Sequence, residues 1–220
     1  MGYTHYWYRK PELDDAKFAE FADATEKIIA ESERLGIKID NDSDKNTVFF
    51  NGSDVQPVGE WTTNEPLGIA WPSEYAGLVD VLADPCTSKV DGDWFAGKTL
   101  AKRTAPINNG TGLGEGDHET MYIEKIVPPD DLSREFAKVR NQELLFAFCK
   151  TAYKPYDLTV TACLIAFKHF FGEDVVISTD GDDKDWLDGK LVCQKLFGYG
   201  LEYSINSDGK LSHCQDPETK

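Results

Sequence analysis

The residues whose types and spacing suit chemistry fall in a few short clusters. His118-Glu119-Thr120-Met121 has the His-x-Thr-apolar form of one half of a two-histidine phosphoesterase site. That chemistry needs two such halves facing each other. The other three histidines do not supply one: His5 precedes Tyr-Trp, His169 precedes Phe-Phe and His213 precedes Cys-Gln. His118 and Glu119 therefore stand as a candidate acid–base pair, the catalytic residues of this reading. Lys154-Pro155-Tyr156-Asp157 opens a helical stretch. Backbone N–H groups at such a start attract anions, and Lys154 adds positive charge. Ordinary helix initiation, with proline and aspartate in the first turn, is the plainer reading. Lys154, Tyr156 and Asp157 are still the best-placed candidates to bind an anionic ligand. Tyr3, His5 and Trp7 alternate along a predicted strand and share one face, where rings stack against a base or pack as core. His5 and Trp7 join the ligand-binding candidates.

Acidic clusters raise the question of a divalent cation. Asp180-Gly181-Asp182-Asp183, with Asp185, precedes a predicted helix, where capping accounts for Asp182 or Asp183. Asp180 is left as the candidate metal ligand. Asp40, Asp42, Asp44 and Asn46 alternate like the first ligands of an EF-hand, but Lys45 stands at the turn glycine and Asn51 at the closing glutamate. A solvated turn is favoured there. Residues 110–116 are the most glycine-dense stretch. A phosphate loop leads into a helix, whereas this one leads into Asp117-His118-Glu119 and a strand. Glu115 and Asp117 would also repel phosphate, so a flexible connection is favoured.

The elements that must position these residues follow from periodicity. Tyr3–Tyr8 reads as a strand. Pro11 opens a helix carried by Phe18, Phe21, Thr25, Ile28, Ser32 and Leu35 and stopped by Gly36. Residues 37–39 and 47–50 form a hairpin. Thr120–Val127 is a strand, and Asp130–Lys150 is predicted helical. A helix over Tyr156–Phe171 is apolar around most of its circumference and should be buried. Val175–Ser178 is a strand, Lys184–Phe197 a helix, and Leu201–Ile205 a last strand. The expectation is an α+β fold, a mostly antiparallel sheet packed by about four helices. It makes one domain over residues 1–205, with an ordered insertion at about 53–117 and a flexible tail at 206–220. The insertion holds three of the five tryptophans, a short helical candidate at 72–82 and an extra strand near 94–102.

The 220 residues carry a net charge of −16, from 23 basic and 39 acidic side chains. No basic stripe is visible, so direct nucleic-acid binding is not expected, nor is an anionic membrane surface. Acidity serves solubility, or it mimics nucleic acid and blocks a basic protein. Five widely spaced cysteines without a C-x-x-C pair fit a reducing cytoplasm. No signal peptide or membrane-length apolar run is present.

Several of these pieces together resemble a known family. They are Gly2-Tyr3-Thr4-His5-Tyr6-Trp7, Phe50-Asn51-Gly52, His118-Glu119-Thr120, and Phe148-Cys149-Lys150-Thr151-Ala152 with Lys154-Pro155-Tyr156-Asp157. The Lys168-His169 helix end and Ser178 with Asp180-Gly181 complete the set. The chain resembles a family of uncharacterised proteins of phages and some bacteria, over residues 1–52 and 118–198. The resemblance implies a phage-type accessory protein, working in the host cytoplasm if phage-encoded, and implies no particular activity. Three functions are carried forward. One is binding or processing of a small nucleotide-like or phosphorylated ligand, with a divalent cation as the cofactor to test. The second is an acidic inhibitor or nucleic-acid mimic that binds a host protein. The third is a virion component.

Overall fold

Alternation of buried and half-exposed residues in β1 (Thr4–Arg9) sets up the central strand. His5, Trp7 and Arg9 face inward, and Tyr6 and Tyr8 face outward. The computed structural model describes residues 3–53, 74–75, 116–128, 131–139, 143–152 and 154–213. In it β1 lies between two antiparallel partners, β5 (Leu145–Lys150) and β6 (Val175–Thr179). A second antiparallel sheet orders β2 (Ile39–Asn41), β3 (Thr47–Gly52) and β4 (Met121–Glu124). A third pairs β7 (Tyr203–Ile205) with β8 (Leu211–His213). Four helices, α1 (Asp15–Arg34), α2 (Leu132–Val139), α3 (Asp157–Phe171) and α4 (Leu187–Phe197), complete the described elements. The fold is α+β, as the sequence predicts, with three small antiparallel sheets.

Helix α3 is buried almost throughout, in accord with its all-round apolar surface, and packs against both α1 and α4. Phe21 of α1 meets Phe167 of α3 with ring centres 5.0 Å apart. The same core takes in Trp7, Phe50 and Trp186, so it spans helices and sheets. The two larger sheets are fastened by Arg9. Its guanidinium donates to the carbonyls of Lys10, Pro11, Glu124 and Lys125. Burial lowers its pKa to about 10, still far above neutrality. Gly52 lets the end of β3 run directly against the backbone of Gly116 and the ring of Tyr156, where a Cβ has no room.

Several boundaries differ from the sequence reading. Helix α1 starts after Pro11, because Asp14 caps it by accepting from the N–H groups of Ala16 and Lys17, both at 3.0 Å. Glu12 is used instead in a bridge to Ile126. Gly36, at φ +93°, provides the stop. The helix predicted over 130–150 is corrected: among the described residues of that span Leu132–Val139 is helical, and 145–150 is strand β5. Leu145, Ala147 and Cys149 alternate with Phe146, Phe148 and Lys150, and that two-residue period pairs with β1 along its whole length. The helix predicted from Lys184 divides into a 3-10 turn at Asp183–Trp186, with Asp182 and Asp185 forming a capping box, and α4 proper. The segment from Asn206, expected to be a loose tail, is ordered through His213. The Asn206 side chain accepts from the N–H groups of Asp208 and Lys210, closing a turn into β8. Residues 214–220 lie outside the described residues. So does nearly all of the insertion, including the predicted strand near 94–102 and most of the helical candidate at 72–82. Glu74 and Tyr75 are placed. Tyr75 is buried, its hydroxyl donates to Glu31 at 2.5 Å, and Lys195 lies 4.5 Å from its ring centre. Among the described residues no helix is long and apolar enough to cross a membrane.

Candidate functional site

The inner face of β1 gathers polar residues into one dry network. His5 Nε2 lies 2.6 Å from Asp157 Oδ1, and the Thr151 hydroxyl donates to the same oxygen at 2.6 Å. On the other side of the ring, His5 Nδ1 lies 3.1 Å from the Thr179 hydroxyl, whose oxygen accepts the Gly181 N–H at 3.1 Å. An ionised Asp157 would only accept, taking a hydrogen from Nε2, while the Thr179 hydroxyl beside Nδ1 also donates to the Thr4 carbonyl at 3.4 Å. The rings of Tyr3 and Trp186 meet His5 edge-on at 4.8 and 5.1 Å. His5 and Asp157 are both fully buried.

Local backbone explains why these groups meet. Ala152 takes φ +50°, the left-handed region that a residue with a Cβ seldom enters, and its N–H donates to the Tyr3 carbonyl. The chain then turns through two further bonds, Lys154 N–H to Thr151 and Asp157 N–H to Lys154. Thr151, at the end of β5, and Asp157, at the start of α3, thereby reach one point under β1. The bonds around Ala152 offset its strain and tether β1, β5, β6 and α3 to one another.

The ligand-binding candidates divide accordingly. His5 and Asp157 are brought together, and both belong to this closed network. Trp7 lies in the core, 1 % exposed. Lys154 is buried at 3 % exposure, and Tyr156 is fully buried with its hydroxyl donating to the Glu119 carbonyl at 2.6 Å. Of the catalytic candidates, Glu119 is half-buried and its carboxylate accepts the Lys150 N–H at 2.6 Å. The His118 side chain is exposed, and its backbone is held by Asn51. Asp180 is exposed and accepts the Tyr6 hydroxyl at 3.0 and 3.2 Å. Among the described residues no group of three or more His, Cys, Asp or Glu side chains is arranged to hold a metal ion. Cys149 is fully buried, and burial pushes its thiol up to about 12.

The outer face of the same sheet carries what the sequence reading did not single out. Tyr6 pairs across to Phe148, and Tyr8 pairs to Phe146. Tyr6 and Phe146 have ring centres 6.1 Å apart at 20°, Phe146 and Phe148 5.8 Å at 27°, and Tyr8 and Phe146 5.2 Å at 47°. Phe146 is 38 % and Phe148 51 % exposed. The four rings form a continuous aromatic row facing solvent. Asp180 stands beside it, and the Tyr6 phenol is held protonated, by burial first and then by the carboxylates of Asp180 and Glu119. Alternation within 145–150 was the available signal, but a helical reading of that segment scatters its two phenylalanines. No protein-family model, curated protein or solved structure matches the chain.

Proposed function

We propose that this protein acts by binding another protein on the outer face of the sheet β5-β1-β6, as an acidic accessory protein that engages a basic host protein. The observation that carries this is the solvent-facing row of Tyr6, Tyr8, Phe146 and Phe148. Clustered exposed rings mark interaction sites, since a sheet gains nothing in water by leaving them uncovered. The net charge of −16 favours a basic partner and a fast, salt-sensitive encounter. Of the polar residues that suggested a small-ligand site, His5, Lys154, Tyr156 and Asp157 are buried, whereas His118 and Asp180 are exposed.

The test is affinity capture from a host extract at low salt, with wild type and with Phe146→Ser/Phe148→Ser as baits. A partner held by wild type, lost from the double variant and released by salt supports the reading. Identical captures on both baits, or none on either, would sink it.

A further inference from the structure

We infer that the outer face receives a cationic side chain, a lysine or arginine of the partner's segment, against the rings of Tyr6, Phe146 and Phe148 and within reach of the carboxylates of Asp180 and Glu119. This rests on the protein-binding reading above and names the chemistry of its occupant. Cations are attracted to the negative faces of aromatic rings within about 6 Å of the ring centre, and a nearby carboxylate adds to that attraction. The Tyr6 phenol already bonds Asp180 at 3.0 Å, so ring and carboxylate are held side by side.

The molecule contains a closed example of the same chemistry elsewhere. Lys195 Nζ lies 4.5 Å from the Tyr75 ring centre while it contacts Glu31 at 2.9 Å and Glu74 at 3.2 Å. There the chain supplies ring, carboxylates and cation together. On the outer face it supplies the rings and carboxylates. Among the described residues two lysines border that face, Lys150, paired with Thr4 beyond Phe148, and Lys210, bridged to Ser178 on the far side of Tyr6, and neither lies over a ring. The ring centres lie 5.2 to 6.1 Å apart, the ordinary spacing of touching aromatic pairs, and Phe146 and Phe148 keep surface open to solvent. An aromatic sheet face can also stack the bases of single-stranded nucleic acid. Asp180 and Glu119 beside the row, and a net charge of −16, would repel its phosphates.

The experiment is fluorescence anisotropy at low salt with three labelled probes: octa-arginine, octa-glutamate and a single-stranded oligo-dT. The proteins are wild type, Phe148→Ser, Asp180→Asn and Glu20→Gln. Glu20 is exposed on α1 and removes one charge outside the sheet. The expected result is that octa-arginine binds wild type and Glu20→Gln alike and loses at least tenfold on Phe148→Ser and on Asp180→Asn. Equal octa-arginine affinity for all four proteins, which is attraction to bulk charge, would overturn the inference. So would tighter binding of oligo-dT than of octa-arginine. Should the captured partner depend on Phe148 while octa-arginine ignores it, the cation fails and the protein-binding face stands. Should the partner ignore Phe148 as well, both fail.

Discussion

The two faces of β1 divide its six residues between opposite uses. Inward, His5 spends both ring nitrogens on Asp157 and Thr179 and is sealed from water. Outward, Tyr6 and Tyr8 lie in a row with Phe146 and Phe148 that is left facing solvent. The inner residues have the types associated with catalysis, and the outer ones the types associated with a core. The difference teaches that residue type alone does not locate function. A histidine–aspartate pair closed on all sides is a fastening, whereas rings left in water are waiting for a surface.

The comparison can be broken most directly from the inside. Asp157→Ala removes the one acceptor shared by His5 and Thr151 and leaves both facing a void. Breaking a buried pair of this kind costs roughly 3–5 kcal/mol, read from the urea midpoint. A variant as stable as wild type would mean that the network is not a fastening. Next in size is the outer double variant Phe146→Ser/Phe148→Ser. Partner capture should fall at least tenfold while stability shifts by less than about 1 kcal/mol, as at other exposed sites. A large stability loss would show that the row packs against something within the chain.

The Tyr75 clamp sharpens the comparison, because it is the closed counterpart of the open face. Burial alone would raise the Glu31 pKa, but hydrogen bonds from Arg34, Tyr75 and Lys195 outweigh it and hold it at about 2. A carboxylate depressed in this way contributes stability that is present above its unfolded value of 4.5 and lost as pH falls towards about 2. Thermal midpoints should therefore decline over that window in wild type and decline less in Glu31→Gln. The smallest effect belongs to Tyr6→Phe, which loses the exposed bond to Asp180. Its stability should stay within about 0.5 kcal/mol of wild type by urea denaturation.

Much of the architecture was legible because it is periodic. The 3.6-residue rhythm of Phe18 to Leu35 marks α1, and the two-residue rhythm of Tyr3 to Tyr8 marks β1. Strand β5 was not legible because its apolar residues follow a helix closely, and short apolar runs fit either period until a pairing partner is known. Strand β8 was hidden by its polar sequence, since it is held by backbone bonds to β7 and by the turn at Asn206. At the site, His5 and Asp157 were each singled out, but nothing local to either says that they touch across 152 residues. The aromatic row was invisible for the same reason: Tyr6 and Phe148 become neighbours only through the register of β1 on β5.

That central strand also sets a timetable. Residues 4–9 leave the ribosome long before their partners: from His5, Asp157 lies 152 and Thr179 174 residues further on. Until β5 has been made both edges of this aromatic segment are unpaired, one stays so until β6 follows, and long loops must close before either pairing rewards them. Slow formation of the sheet relative to the helices follows from topology alone.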